Sequence, residues 1–422
     1  MPKTAVRPKR GLQTRIKSLG FHADYACRGS GACCAGAWRV VAQPEVRTRL
    51  AAAFEAGRLR GSLNEALRSE PTLTGDPLYI LRSDGPGGCT FHKGERCGIR
   101  TAVGVEAQPL GCRVFPRVVV KQPRGRFVSL SHFCPTAAGL LFKTDRAEGR
   151  PIQGPRAFPA SDALEGHDAR DHLPPLVAPN RPTSWSLFEL WESAGAGWLV
   201  REDGRPEQLL ASWAVVAERI RHRVLAGSRP EDVVKPALAR AEREGPLGVL
   251  ETVDWAAGDW NQLLFLIESA SKVLPPERGF AAELLAALES RYLKPDGASQ
   301  FEEDWRRNEA HWAMYGLAIK RYAAARHYAN FHAYQGQGLR SAVLSTVFAV
   351  GLVRAFALAS SGEEELTRDG LLHAIRASDY VLLHLIHRPT LAKLFSSVES
   401  VPAQDVFRLA FVPRLVSPPG SS

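Results

Sequence analysis

The chain has 422 residues, which is long enough for two or three domains that bury a real core without disulfide bonds. Its composition, 45% hydrophobic and 23% charged, is that of a soluble globular protein. The first 20 residues carry six basic side chains and no apolar run, so they do not predict a secretory signal. The longest apolar run, 342–353, is too short for a bilayer and predicts a buried helix. We therefore expect a cytoplasmic protein with reduced thiols and no membrane partner.

Positive charge is concentrated in the first 150 residues, which contain 25 Lys and Arg against 11 Asp and Glu. The rest of the chain contains 29 basic and 33 acidic side chains. A basic front half suits nucleic acid, an anionic cofactor or an acidic partner, and equally the arginine-rich composition of a GC-rich genome. The charge distribution alone does not predict a particular function, and nucleic-acid binding is kept as one alternative.

Composition divides the chain into five segments. We expect a basic flexible arm over 1–20, a cysteine-cluster domain over 21–143, a Pro- and Gly-rich linker over 144–183, a helical domain over 184–412 and a flexible tail over 413–422. The predicted fold is α+β: a small mixed α/β metal-binding cysteine domain followed by an all-α helical domain.

Local patterns predict the main elements in chain order. Pro44 opens a helix whose apolar residues recur at helical spacing, and residues 78–81 form a short strand candidate. The β-rich runs 118–120 and 127–130 predict a hairpin whose turn contains Gly125. Beyond residue 184, apolar stripes spaced by three, four or seven residues predict helices throughout.

Cysteines occur only in the first 134 residues, which is not the distribution of scattered core residues. Disulfide bonds are disfavoured because the count is odd and no oxidising compartment is indicated. Structural zinc usually has paired C-x2-C ligands, which are absent, although His92 and His132 keep a mixed site open. An iron–sulfur cluster needs about four thiolates and tolerates wider spacings. The seven residues are Cys27, Cys33, Cys34, Cys89, Cys97, Cys112 and Cys134.

The sequence around the cysteines suits an anionic metal centre. Gly29 and Gly31 allow the backbone to curl so that N–H groups point at sulfur. Cys112 precedes the predicted hairpin and Cys134 follows it, so an antiparallel pair brings these two thiols together. Adjacent cysteines at 33 and 34 point apart in an extended strand, so both face one centre only if the chain turns there; otherwise one of them is packed or supports a second site.

Four segments carry a family resemblance: "CRGSGACCAGAWRVV", "CTFHKGERCGI", "QPLGCRVFPR" and "SHFCP". Over residues 27–135 the chain resembles the YkgJ-type cysteine cluster family, described as a zinc- or iron-chelating domain, which includes the flagellin lysine N-methylases. The stretch "IRTAVGVEAQPLGCR" lacks the I-Y-x-x-R-P segment of many short members, so the chain is more similar to the long, methylase-like branch.

The resemblance marks all seven cysteines as candidate metal ligands. The lack of C-x2-C pairs and the surplus of thiols favour an iron–sulfur cluster such as 4Fe-4S, with zinc as the alternative. The resemblance also implies S-adenosylmethionine as cofactor and a protein lysine as substrate of an N-methyltransferase. Arg28, Arg113 and Arg117 suit the charge of a thiolate-ligated cluster, and the last two also suit a cofactor carboxylate. No catalytic residue is assigned, because neither a Rossmann glycine motif nor a C-x3-C-x2-C motif is present.

Two further clusters have functional and structural interpretations. The aromatic stretch 305–334 predicts either a cation box or the buried face of a helix. Asp379, His384 and His387 predict either a metal or proton-transfer site or ordinary core and surface residues. The alternatives to an enzyme with its site between the two halves are a non-catalytic metalloprotein with a structural, sensing or metal-handling role, and a nucleic-acid binder.

Overall fold

The fold is taken from a computed structural model. The structure describes residues 15–36, 38–71, 75–83, 88–93, 96–144, 150–153, 166–251, 260–276, 278–334, 338–386 and 388–396. Its strands are β1 (Ile16–Leu19), β2 (Leu67–Glu70), β3 (Leu78–Leu81), β4 (His92–Lys93), β5 (Arg96–Cys97), β6 (Arg117–Gln122), β7 (Gly125–Leu130), β8 (Pro151–Gln153), β9 (His167–Asp168), β10 (Leu176–Ala178) and β11 (Arg181–Pro182).

The α-helices divide at residue 184 into short front helices and longer ones behind. Those of the front half are α1 (Ala32–Ala35), α2 (Pro44–Glu55), α3 (Leu63–Ala66), α4 (Gly98–Ala102), α5 (Leu110–Val114) and α6 (Pro135–Leu140). Those behind are α7 (Trp185–Trp198), α8 (Pro206–Leu225), α9 (Pro230–Leu250), α10 (Trp260–Ser271), α11 (Ala282–Tyr292), α12 (Gly297–Met314), α13 (Gly316–His327), α14 (Gly338–Ser361), α15 (Arg368–Tyr380) and α16 (Arg388–Ser396). The mixed front half and helical second half agree with the α+β prediction.

A five-stranded sheet forms the base of the front half, in the order β8-β1-β7-β6-β9. The predicted hairpin is confirmed: β6 and β7 pair antiparallel from Arg117–Leu130 to the turn at Gln122–Gly125. Because side chains alternate along a strand, Val120 and Phe127 pack into the helical core while Val119 and Val128 pack on the opposite face, with Cys134. Both faces of this sheet are therefore buried.

The segments predicted as arm and linker contribute strands to this sheet. Residues 16–19 of the predicted flexible arm form β1, whose Ile16 and Leu19 are buried. β8 and β9 come from the predicted linker and form the two edges of the sheet. These strands have two to four residues and owe their conformation to pairing, which a hydrophobic pattern does not reveal. Residues 1–14, 145–149, 154–165 and the predicted tail lie outside the described residues.

The second half packs its helices around α14, whose residues from Gly338 to Ala359 are all buried. It is long and apolar enough to cross a membrane, but its most apolar window is wholly buried, as in a core helix. This confirms the buried helix predicted for 342–353. Leu19, Phe127 and Phe133 of the front half belong to the same apolar core as these helices. The two halves therefore share one core, and a second, smaller core lies under the cysteine region.

Candidate metal centre

All seven cysteines line one cleft of about 670 Å³ in the front half. Only Cys134 is buried; Cys27 is exposed and the other five are partly exposed. No Asp or Glu from the part of the chain that the structure describes lines this cleft, whereas arginines line it from several elements. The thiols therefore face one solvent-accessible volume in a positively charged setting. The arginines are Arg28, Arg82, Arg96, Arg100, Arg113 and Arg117.

The loop before α1 turns both adjacent cysteines into the cleft. Gly29 and Gly31 have φ of 71° and 66°, and α1 begins directly after them. Cys33 and Cys34 therefore lie on a helical turn and not on an extended strand, and their Sγ atoms are 4.0 Å apart. At Gly31 a Cβ atom would lie 2.3 Å from His92 Nε2, so glycine is required for space as well as for backbone angle.

Backbone contacts bring the next two cysteines to the same place. The N–H of Cys89 donates to the carbonyl of Cys34 at 2.8 Å. This close approach depends on Gly88, where a Cβ atom would lie 2.3 Å from that carbonyl oxygen. The two-residue strands β4 and β5 then pair His92 with Cys97 and return the chain to the cleft. Cys97 precedes the first turn of α4, and the Gln108 side-chain amide donates to its Sγ at 3.4 Å.

Hydrogen bonding lowers the pKa of two of these thiols and raises the pKa of a third. Donation from Cys34, with further help from the N–H of Arg100 and the amide of Gln108, lowers the pKa of Cys97 to about 5. Hydrogen bonding with Cys34 also lowers the pKa of Cys33, and the shared donation raises the pKa of Cys34 itself. Thiolates, which are the form that binds metal, are therefore favoured at Cys33 and Cys97.

Cys112 and Cys134 share the cleft but have different neighbours. Burial raises the pKa of Cys112, and the charges of Cys89, Cys33 and Cys97 raise it further. Burial also raises the pKa of Cys134, and the charge of Cys27 raises it further. The Sγ of Cys134 lies 3.8 Å from the hydroxyl of Tyr25. The thiols thus form a group of five, Cys33, Cys34, Cys89, Cys97 and Cys112, and a pair, Cys27 and Cys134.

Both arginines singled out for a cofactor carboxylate line the cleft. Arg113 is held by Glu106, with 3.2 Å between guanidinium nitrogen and carboxylate oxygen. Arg117 lies beside the pair at 5.8 Å from the Tyr25 ring centroid, and burial lowers its pKa while Tyr25 and Cys27 oppose that shift. Each group of thiols therefore has an arginine beside it.

Helix α15 of the second half holds the loops that carry the cysteines. Asp379 is fully buried and accepts a hydrogen bond of 2.5 Å from the backbone N–H of His132. Arg376 donates to the carbonyl of Phe133 at 3.1 Å, and the hydroxyl of Tyr380 donates to the carbonyl of Gly36. Three residues of one turn of α15 thus fix the end of the Cys33–Cys34 turn and the approach to Cys134.

Two of the histidines considered as ligands or relays, His132 and His384, have other partners, whereas the buried Nε2 of His92 faces Gly31 without a hydrogen-bond partner among the described residues. His132 is buried between Asp379 and His22, with 3.2 Å between the Nε2 atoms of the two imidazoles, and it does not line the cleft. Asp379 pairs with His132 and not with His384, which instead lies 3.0 Å from the hydroxyl of Ser131. His387 lies outside the described residues. Asp379 and His384 therefore have separate partners, which agrees with the interpretation that they are ordinary core and surface residues.

The aromatic stretch 305–334 belongs to the core and already surrounds a cation of this chain. The guanidinium of Arg354 lies 4.1 Å and 4.9 Å from the ring centroids of Trp305 and Trp312, and it is paired with Glu207. Trp312 donates its indole N–H to the same carboxylate at 2.7 Å. Among the alternatives drawn from sequence, the buried helix face is the one observed.

The donor set fits a thiolate-bound centre, because seven sulfurs and several arginines face one volume. Within the described ranges, no three His, Cys, Asp or Glu side chains are placed to hold a single metal ion. No family model, curated protein or solved structure matches the chain. The assignment of the cleft therefore depends on its own geometry and chemistry.

Proposed function

We propose that the chain is a cytoplasmic iron–sulfur protein whose cluster is bound in the cysteine cleft. The observation that carries this proposal is the convergence of seven cysteines on one cleft without a described carboxylate in its lining. Such a lining provides soft thiolate ligands together with positive charge that offsets an anionic cluster. The exposure of Cys27 and the partial exposure of five others leave a route for the metal.

The number and sequence pattern of the thiols favour a cluster over a structural zinc ion. Structural zinc sites usually have paired C-x2-C ligands, which this chain lacks. A cluster needs about four thiolates and tolerates wider spacings in sequence, and seven thiols line the cleft. His132, a sequence candidate for mixed zinc ligation, is committed to Asp379.

Four of the five grouped thiols would bind the cluster, with Cys97 and Cys33 as the readiest thiolates. The cluster supplies electron transfer, Lewis acidity or structural support when bound. The chain's own residues would orient it: Gln108 donates to the sulfur of Cys97, and Arg113 places positive charge at the cleft. Cys27 and Cys134 form a separate pair with Tyr25 and Arg117.

The test is anaerobic purification followed by iron, acid-labile sulfide and zinc analysis. We expect brown protein with iron and sulfide, loss of both in Cys97→Ser, and retention in the matched variant Cys27→Ser. Colourless protein with stoichiometric zinc would falsify the iron assignment. Iron that is retained equally in both variants would remove Cys97 from the ligand set.

Methyl transfer from S-adenosylmethionine to a protein lysine is the activity that the family resemblance implies. No contact of the described residues favours it over a non-catalytic role, because Arg354 occupies the tryptophan cage that was considered for a lysine ammonium. Incubation of iron-loaded protein with labelled S-adenosylmethionine and extract from a strain lacking the protein decides between them. Label in a protein band supports the enzyme, and no label together with no calorimetric binding of S-adenosylmethionine rejects it.

A further inference from the structure

We propose that the cysteine cleft contains a subsite for a small anion with carboxylate or phosphate groups, bound by arginines of the lining. The feature that carries the proposal is positive charge without an acidic counterpart among the described residues of the cleft. Six arginines line it, and the structure gives no Asp or Glu in the lining among the residues it describes. Of these arginines, Arg113 is paired with Glu106, which lies outside the lining.

Three of the arginines are exposed and have no ion-pair partner within the described part of the chain: Arg28, Arg96 and Arg100. They come from two separate places in the fold. Arg28 follows Cys27 in the loop before α1, whereas Arg96 and Arg100 flank Cys97 on β5 and α4. Guanidinium groups that line one cleft from two segments suit an anion bound in that cleft, because each presents paired N–H donors that match carboxylate or phosphate oxygens.

The cluster alone does not account for this charge. A cubane bound by four thiolates carries a net charge of about −2, whereas the lining contains six arginines. This comparison rests on the proposed function, but the charge of the lining does not. The cleft volume of about 670 Å³ lies within the range of about 300–1,000 Å³ that is usual for small-molecule sites. The cleft as a whole therefore has the size of a small-molecule site, and its arginines outnumber the negative charges of a cluster.

The aromatic residues of the lining favour a small anion over a nucleic acid. Single strands bind to exposed rings on which bases stack. Here Tyr25 is buried, and Trp38 is packed against the rings of Phe115 and His384 with its indole N–H donated to the carbonyl of Cys33 at 2.7 Å. Among the described lining residues, several arginines are exposed, whereas the aromatic rings are buried or packed against other rings.

The test is isothermal titration of the full-length protein, iron-loaded and metal-free, with sodium succinate and with inorganic phosphate at low ionic strength. We expect saturable binding at one site that weakens with added salt, and the stronger anion identifies the ligand class. The double variant Arg28→Gln/Arg100→Gln should bind about tenfold more weakly per arginine removed. The charge-matched control is Arg223→Gln/Arg243→Gln, two exposed helical arginines outside the cleft, and it should bind as the parent does.

Iron content separates the failure of this proposal from that of the metal centre. Anion binding to a protein that never retains iron supports the subsite and rejects the cluster. Absence of binding by both anions to iron-loaded protein, or equal weakening in the cleft and control variants, overturns the subsite and leaves the cluster standing. Displacement of the anions by a tighter-binding single-stranded oligonucleotide would also overturn it, since the cleft would then be a nucleic-acid site.

Discussion

Replacing Asp379 with alanine tests whether α15 holds the cysteine cleft in place. Its carboxylate is fully buried, accepts from the N–H of His132 at 2.5 Å and the hydroxyl of Tyr322 at 2.9 Å, and lies 3.4 Å from Arg326. Alanine leaves these buried donors unsatisfied and the guanidinium without its counterion. Removing one partner of a buried ion pair typically costs about 3–5 kcal/mol. Because total stabilities are about 5–15 kcal/mol, we expect a large drop in the free energy of unfolding.

The measurement is urea unfolding of the metal-free protein, together with the rate at which a thiol reagent labels Cys134. The matched control is Asp369→Ala on the same helix, whose side chain is 91% exposed, and it should change stability by no more than about 0.5 kcal/mol. We expect faster labelling of Cys134 only in the Asp379 variant, because the loop that leads to this thiol loses its support. A loss below about 1 kcal/mol, or equal losses in both variants, refutes the reasoning.

Three further perturbations have defined outcomes. Burial raises the pKa of Glu192 from 4.5 to about 8. The stability that its protonated form contributes is therefore present below pH 4.5 and lost as pH rises through 8. Glu192→Gln should make the free energy of unfolding nearly independent of pH across that window, and it should stabilise the protein at pH 8 by more than about 1 kcal/mol. Gly31→Ala should destabilise more than Gly29→Ala in thermal melts, since both strain the backbone but only the first meets a side chain. Arg354→Met should lower the free energy of unfolding in urea by about 3–5 kcal/mol, because it leaves Glu207 buried without its cation. A smaller loss would mean that apolar packing can replace the ion pair.

The predictable elements are those with a short-range signal. Proline at the first position and a regular apolar spacing predict a helix from Pro44, and α2 begins there. Two β-rich runs around a glycine turn predict the β6–β7 hairpin. β1, β8 and β9 have no such signal, because their residues become strands only by pairing with distant partners. The composition of 144–183 consequently predicts a linker, whereas the folded segment supplies both sheet edges.

The residues of the candidate site also differ in whether the sequence alone predicts them. The cysteines are recognisable because their chemistry and confinement to one region are visible in the sequence. The arginines at 82, 96 and 100 were not singled out, since nothing local distinguishes them from other arginines of a basic segment. The sequence groups Asp379 only with histidines close to it along the chain, at positions 384 and 387. Its actual partner His132 is 247 positions away, and only the folded chain brings the two together.

The contacts of α15 make the helical half part of the candidate metal centre. Arg376, Asp379 and Tyr380 bind backbone groups of two loops that carry thiols. Metal ligation would fix the same loops, so docking of α15 and metal binding stabilise a common conformation. Linkage then requires each to favour the other: a metal that binds the docked state must strengthen docking, and a change that loosens α15 must weaken metal binding by the same free energy. The helical half therefore has a role as scaffold for the cleft that does not depend on any activity of its own.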